Sequence, residues 1–381
     1  MARVAFLALA PAVGLGVARF AYALVLPDMR ADLGWSWADA GWMNSANAAG
    51  YLAGALLAGR MIGLAGAHRT LTAGIWACIT ALTVCALFRA AVPLILARAV
   101  AGLGGGLAFV AGGVLAAGIA QRNPTRSAVL LGLYYAGAGF GILLSGLAVP
   151  LLLARFGPGA WPMAWAMLAL LSLPLACALH LVRGETRVAP ARDERRQPLA
   201  PLARLLIGYL LFGAGYIAYM TFMIAWVQGT GGGPGFQALF WSVIGLAAMA
   251  APWLQAPVLR RLHHGHAFAA LTALTALGAI LPLLSGRVVF LLGSAAVFGS
   301  AFFAVVAATT AYVRRNLPQH QWARAIGCLT VSFSIGQMVG PVATGLVTDL
   351  THDLAGGLWT STSLLLLASA TGATQRDLPE A

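Results

Sequence analysis

Apolar stretches of about 20 residues recur along the whole chain, separated by short polar or Pro/Gly-containing breaks. A helix rises about 1.5 Å per residue, so a stretch of this length crosses the ~30 Å hydrocarbon core of a bilayer. The pattern therefore predicts an all-α membrane protein. Its twelve membrane-spanning helices are expected at residues 4–26, 40–59, 70–90, 93–118, 127–153, 161–183, 204–227, 236–257, 267–284, 288–313, 325–348 and 355–372.

One polar segment is much longer than the others and lies between the sixth and seventh spans. It reads RGETRVAPARDERRQPLAPLAR (183–204) and mixes proline with charges of both signs. That composition is typical of an interdomain linker. It predicts two six-helix bundles, residues 1–183 and 204–381, joined by a cytoplasmic linker at 184–203.

The composition indicates that lipid is the solvent for most of the chain. Of its 381 residues, 60% are hydrophobic and only 9% are charged, whereas an ordinary globular domain has about 25% charged residues. A net charge of +13 would suggest nucleic-acid binding in a soluble protein. Here the basic residues, all of which are arginine, are distributed by membrane side, so no nucleic-acid partner is expected.

The arginine distribution also predicts the orientation. If the N-terminus is cytoplasmic, 17 arginines fall in cytoplasmic segments and four in external loops, namely Arg30, Arg89, Arg155 and Arg287. This bias satisfies the positive-inside rule for an even number of spans. We expect a multi-pass protein of the bacterial inner membrane with both termini in the cytoplasm.

The two halves share a pattern at an offset of 199 residues. Gly14 and Gly16 match Gly213 and Gly215, and Gly137, Gly141 and Gly146 match Gly336, Gly340 and Gly345. One offset serving several helix pairs indicates a duplicated six-helix unit. Parallel repeats with a site at their interface are a transporter architecture.

Several motifs carry a resemblance to a known family. The fourth span contains RAVAGLGGG with Arg98, Gly102 and Gly104, and the fifth contains GAGFGILLSG with Gly137 and Gly141. The eleventh contains GQMVGPVATG with Gly336, Gly340 and Pro341. These resemble the arginine–glycine and glycine-rich helix motifs of the major facilitator superfamily (MFS), and the resemblance covers essentially the whole chain. It implies two six-helix bundles that rock around a central site, with these glycines and Pro341 serving packing and gating.

The opening GVARFAYALVLP, GYLAGALLAGR in the second span and GYLLFGAGY in the seventh resemble the YbfB-like branch of bacterial MFS proteins. The loop after the second span, GRMIGLAGAHRT, lacks the aspartate of the usual Asp-Arg-x-Gly-Arg signature. The usual ion pair of that loop therefore has no acidic partner here.

Two arginines lie inside apolar spans. Arg19 is about 12 Å before Pro27 along its helix, and Arg98 about 7.5 Å past Pro93. A membrane-embedded arginine costs roughly 2.5–3.5 kcal/mol on insertion scales and usually faces a bundle interior or a cavity. The resemblance places both helices at the central cavity, and no acidic residue lies deep in any span. We expect both arginines to favour an anion there.

Alternatives remain for both arginines. Arg19 could extend outward to lipid headgroups, Asp28 or Asp39. The resemblance also allows Arg98 a structural or proton-coupling role. Further candidate substrate-binding residues share helix faces or flank the arginines; these are Tyr22, Asn44, Asn47, Tyr51, Tyr135, Tyr216, Tyr219 and Gln337. Each could instead serve helix packing or interhelical hydrogen bonding.

The sequence thus predicts a secondary active transporter, a symporter or antiporter, that moves a small carboxylate-like anion by alternating access. A proton-coupled exporter of drugs or metabolites and a non-transporting membrane receptor remain alternatives. No Ser-His, Cys-His or metal-ligand constellation appears at membrane depth, so we expect no catalysis, metal or cofactor. The expected partners are a small-molecule substrate, the lipid bilayer and a possible coupling proton, and we expect a monomer.

Overall fold

A computed structural model describes residues 1–180 and 200–378 of the chain, and within them the regular structure is helical. Twelve helices are long and apolar enough to cross a membrane, which confirms the predicted fold class. They are α1 Ala2–Leu33, α2 Trp37–Ala65, α3 Ala67–Leu87, α4 Ala91–Gln121, α5 Ser127–Phe156, α6 Trp161–Leu179, α7 Ala200–Gly229, α8 Pro234–Arg261, α9 His266–Leu284, α10 Val288–Asn316, α11 Gln319–Thr351 and α12 Leu354–Ala373.

The predicted linker at 184–203 lies outside the described residues, except for its last four. Residues Ala200–Leu202 form a short 3₁₀ turn at the start of α7, which continues as an α-helix from Ala203. Six of the twelve helices precede the undescribed stretch and six follow it. We call the side of the bundle that holds both termini the terminal face and the other side the opposite face.

Helix α1 is not a continuous α-helix. Residues Ala12–Phe20 form a π-helical segment, a rare and wider helix that occurs frequently at functional sites. Gly14 and Gly16 lie within it and bring its backbone against Gly105 of α4 and Gly141 of α5. Since a Cβ at Gly16 would overlap the α5 backbone, the wide segment depends on these glycines. Arg19 lies at its end.

Equivalent glycines make equivalent contacts in the two halves. Gly137 and Gly141 of α5 lie against backbone carbonyls of α1, and Gly336 and Gly340 of α11 lie against backbone carbonyls of α7. Small residues of this kind allow membrane helices to approach closely. The offset of 199 residues thus joins positions with the same packing environment.

The glycines of α4 allow a similar approach on two sides. Gly102 lies against the backbone of Asn47 on α2, and Gly104 against the backbone of Gly74 on α3. Because α4 has small residues on both sides, α2 and α3 pack closely around it. Arg98 is positioned one turn before Gly102, inside this tight group of helices.

The two halves meet along two helix pairs. Gly41 of α2 lies against the Pro341 carbonyl of α11, and Gly345 of α11 lies against the Trp37 backbone, both toward the opposite face. Gly146 of α5 lies against Trp241 of α8. The α2–α11 and α5–α8 pairs therefore frame the centre of the molecule, where α1 and α7 approach each other.

Candidate functional site

Arg19 lies at the centre of the molecule with its side chain 3% exposed. Its guanidinium carbon is 5.0 Å from the ring centroid of Tyr51 on α2 and 5.9 Å from that of Phe20. Among residues 1–180 and 200–378, no group forms a hydrogen bond with its Nε or Nη2. Buried charges are normally paired. This guanidinium is an exception, because it is buried and two of its donor nitrogens have no partner in the described residues.

The second half contributes polar groups near this cation. The ring of Tyr216 on α7 lies 5.9 Å from that of Phe302, which lies 6.1 Å from the ring of Phe20, the neighbour of Arg19. The amide of Gln337 on α11 donates a hydrogen bond to the Tyr216 hydroxyl. The other amide atom, Oε1, has no partner in the described part of the chain. Side chains from α1, α2, α7 and α11 therefore surround one site at the interface between the halves.

The aspartates that could have neutralised Arg19 have other partners. Asp28 accepts hydrogen bonds from the backbone amides of Gly159 and Trp161, at 2.8 Å each. Asp39 forms a capping box with Ser36 at the start of α2. The alternative in which Arg19 extends to Asp28 or Asp39 is therefore not what the structure shows.

Arg98 has a different environment. Its two Nη groups donate to the backbone carbonyls of Ala18 and Arg19, at 2.6 and 3.2 Å. Its guanidinium carbon also lies 4.9 Å from the Tyr22 ring centroid and 5.5 Å from that of Trp165. Both carbonyls lie near the end of the π-helical segment, and Arg98 supplies donors to them there. Arg98 holds the backbone that carries Arg19.

This arrangement corrects the expectation of two free cations facing one wet chamber. Arg98 is 2% exposed, and its charge-assisted bonds to α1 stabilise the fold.

We expect Arg98→Gln to lower the melting temperature of the purified protein, because it leaves two buried carbonyls with weaker donors or none. The expected loss is about 3 kcal/mol. A melting temperature equal to that of the wild type would contradict this role.

Three of the predicted binding residues form hydrogen bonds within their own half of the molecule. The Tyr22 hydroxyl donates to the Ala40 carbonyl, and the Asn47 amide donates to the Arg98 carbonyl. Tyr219 shares a hydrogen bond with Ser294 and stacks on a ring of α10. Their placement around the Arg19 site was expected from helical spacing. The hydroxyls of Tyr22 and Tyr219 bond elsewhere, whereas the Asn47 Oδ1 is buried without a hydrogen-bond partner in the described residues.

The two remaining candidates lie at other places. Asn44 of α2 donates to the Thr221 hydroxyl of α7, at 2.5 Å, and so joins the two halves. Tyr135 of α5 is 47% exposed, and its ring packs 5.9 Å from that of Phe109. Of the ten predicted substrate-binding residues, Arg19, Tyr51, Tyr216 and Gln337 are the group that the structure brings together.

A cluster at the opposite face joins the halves, and the sequence pattern did not indicate it. The Asp349 carboxylate at the end of α11 accepts hydrogen bonds from the backbone amides of Trp37 and Ala38, at 2.9 Å each. Deeper in the same interface, the Ser45 hydroxyl donates to the Met338 carbonyl. Asp349 thus caps the positive N-terminus of a helix in the other half. Its partners are backbone atoms, so no side-chain pattern indicated them.

Comparison with known proteins agrees with this architecture. The sequence family described as "Uncharacterised MFS-type transporter YbfB" matches residues 11–372. No curated protein matches the sequence significantly.

Solved transporter structures share the fold. A D-xylose–proton symporter has a TM-score of 0.76 at 13% identity, with 99% of this chain and 98% of that chain covered. The nucleoside transporter NupG has a TM-score of 0.71 at 15% identity, with 98% of each chain covered. A bacterial homologue of the human lysosomal transporter Spinster, in an inward-facing and occupied conformation, has a TM-score of 0.70 at 13% identity, with coverage of 97% and 94%.

At these identities the structural likeness shows the fold alone. The family match covers nearly the whole chain, and it is independent of any one solved structure. The chain is a multi-pass membrane protein that belongs to the YbfB-type family of MFS transporters, and it is a transporter rather than an enzyme.

Proposed function

We propose that this transporter carries a small organic anion, carboxylate-like in its charged group, by alternating access. The observation that supports the proposal is the Arg19 guanidinium, which is buried between the halves with two donor nitrogens free in the described structure. A guanidinium fork matches the two oxygens of a carboxylate. A bound carboxylate would supply the charge and the acceptors that the protein itself does not place there.

The orientation follows from the arginines of the loops. We infer that the terminal face is cytoplasmic and that the protein lies in a bacterial inner membrane, because arginines concentrate in the segments of that face. The Asp349 and Ser45 contacts then close the external side. Rocking of the two halves would break them and open the site outward.

Energy coupling has no membrane-embedded carboxylate to use, because the aspartates in the described residues lie near helix ends or beyond them. Protonation of the carboxylate substrate would let a proton travel with the anion. Exchange of one anion for another requires no proton. The proposal therefore includes either a proton–anion symporter or an anion antiporter.

A thermal-shift screen of the purified protein tests the substrate class. Carboxylates, phosphates and cationic drugs are compared at equal concentrations, with the neutral amide of each carboxylate as its matched control. A ligand at 100 times its Kd stabilises the native state by about 2.7 kcal/mol. We expect stabilisation by carboxylates and none by their amides. Stabilisation by cationic drugs alone would favour an exporter of cationic compounds and contradict the proposal.

A further inference from the structure

Aromatic rings form one side of the Arg19 site. We define the aromatic wall as Phe20 of α1, Tyr216 of α7, Phe302 and Phe303 of α10, and Phe333 of α11. The Phe20 ring lies 6.1 Å from Phe302 and 6.0 Å from Phe303, both edge to face. The Tyr216 ring lies 5.9 Å from Phe302 and 5.5 Å from Phe333. Four of these five rings come from the second half.

The wall and the cation adjoin each other. Phe20 follows Arg19 directly, and its ring centroid lies 5.9 Å from the Arg19 guanidinium carbon. Tyr51 lies on another side of the same guanidinium, at 5.0 Å. Phe303 and Tyr51 are only partly buried, whereas Phe302 is 1% exposed. A molecule that reaches Arg19 therefore meets ring surfaces next to the charge.

The number of guanidinium groups with two free donor nitrogens limits how many carboxylates of a ligand the site can bind directly. Both Nη groups of Arg98 donate to α1 carbonyls, which leaves only its Nε without a partner in the described residues, whereas Arg19 has two unpartnered nitrogens, Nε and Nη2, on one side of its guanidinium. One guanidinium neutralises one carboxylate. A second carboxylate on the same ligand would face the apolar rings of the wall, where an unpaired charge is costly.

We propose that the substrate is a monocarboxylate with a flat aromatic body, whose carboxylate binds Arg19 while its ring packs against Phe303, the partly exposed ring of the wall, which the buried rings of Phe20 and Phe302 contact. This inference rests on the proposed function and narrows its substrate class. Edge-to-face and offset-stacked ring contacts add to simple area burial and correspond to about two- to tenfold in Kd each. The first half supplies the charge and the second half most of the rings, so the substrate contacts both moving parts.

Four probes titrated against the purified full-length protein test the inference. Benzoate has the proposed charge and shape, and cyclohexanecarboxylate has the same charge and a similar size without an aromatic ring. Benzamide has the ring without the charge, and phthalate has the ring with two charges. We expect benzoate to bind about tenfold more tightly than cyclohexanecarboxylate. Benzamide and phthalate should each bind at least tenfold more weakly than benzoate.

The possible outcomes separate this inference from the proposed function. Equal binding of benzoate and cyclohexanecarboxylate would overturn the aromatic class and leave an anion transporter in place. Phthalate binding as tight as that of benzoate would overturn the single-charge argument. If benzamide bound as well as both carboxylates, or if neither carboxylate bound, the proposed anion function itself would fail.

Variants of the wall test the location. Phe303→Leu should weaken benzoate binding about two- to tenfold and leave cyclohexanecarboxylate binding unchanged. Phe240→Leu, in a buried ring of α8 outside the wall, is the matched control and should change neither. Loss of benzoate preference in Phe240→Leu but not in Phe303→Leu would place the ring site elsewhere. If a variant fails to fold, the comparison of the four probes on the wild-type protein still tests the inference.

Discussion

Arg19→Gln is expected to raise the melting temperature of the ligand-free protein and to abolish its stabilisation by carboxylates. The reason for the first effect is that Arg19 is a buried cation with free donors, 3% exposed. Removal of such a charge relieves a desolvation cost, here about 2 kcal/mol. Stability given up at a binding site in this way is a common cost of function.

The second effect follows from the loss of the anion's partner. Truncation of one member of a buried, hydrogen-bonded charge pair costs about 2–5 kcal/mol, which is about thirtyfold or more in Kd. Arg19→Lys keeps the charge but loses the two-pronged geometry, so we expect it to weaken binding as well. Thermal melts and ligand titrations of each variant measure both effects.

Arg155→Gln is the matched control, because it removes one arginine from an exposed position at the end of α5. It should leave both the melting temperature and the anion response unchanged. An Arg19→Gln protein that retained the full anion response would show that the anion binds elsewhere. A fall in its ligand-free melting temperature would show that Arg19 has a structural partner. The comparison with Arg98→Gln is direct, since the two neutralised arginines should shift the melting temperature in opposite directions.

Asp349→Ala is expected to shift the transporter toward the state that is open at the opposite face. The substitution removes two charge-assisted hydrogen bonds between the halves, at the N-terminus of α2. Loss of a helix cap and its bonds costs about 2 kcal/mol, which changes the ratio of the two states about thirtyfold. The open state, which the wild type populates less, should then become measurable.

Distances between spin labels can measure this shift. Labels on cysteines introduced at Phe156 and Val289 report the separation of the halves at the opposite face, since both side chains are exposed. The native Cys177 and Cys328 would be replaced first, because they are not fully buried. We expect Asp349→Ala to add a population with a longer distance.

Asp353→Ala is a matched control for that experiment. Asp353 also caps a helix, α12, but it bonds to Ala355 within its own half. Its loss should lower the melting temperature slightly and leave the distance distribution unchanged. Identical distributions in Asp349→Ala and the wild type would show that the cross-half cap does not control the equilibrium.

The sequence was sufficient for the twelve helices and for the buried position of Arg19 within a span, for one physical reason. The membrane imposes long apolar stretches and makes an embedded charge rare, so both stand out from their neighbours. The sequence also indicated that the aspartates lie near the ends of the predicted spans. Their positions indicated that Arg19 is left without a deep carboxylate, as the structure shows.

The family resemblance allowed a structural role for Arg98, but the residues alone did not indicate its partners. Its partners are the Ala18 and Arg19 carbonyls at the end of a π-helical segment. Every residue has a carbonyl, and the sequence does not indicate where a membrane helix widens. The two arginines therefore looked alike as residues and differ only in the backbone around them.

The aromatic wall and the contacts that close the opposite face were missed for a related reason. Phe302 and Phe303 are ordinary residues of an apolar span, and their meaning depends on the neighbouring half of the molecule. Tyr22 and Tyr219, by contrast, looked like cavity residues by spacing. Their rotation about the helix axes turns them toward Ala40 and Ser294.

Anomalous diffraction from crystals soaked with 4-bromobenzoate locates the bound anion most directly. The bromine should give one strong peak beside the aromatic wall, at the end of the ligand away from its carboxylate, which should lie on the Arg19 guanidinium. A strong peak beside Arg30 at the opposite face, or at any other arginine, with none next to Arg19, would contradict the assignment of Arg19 as the anion-binding residue.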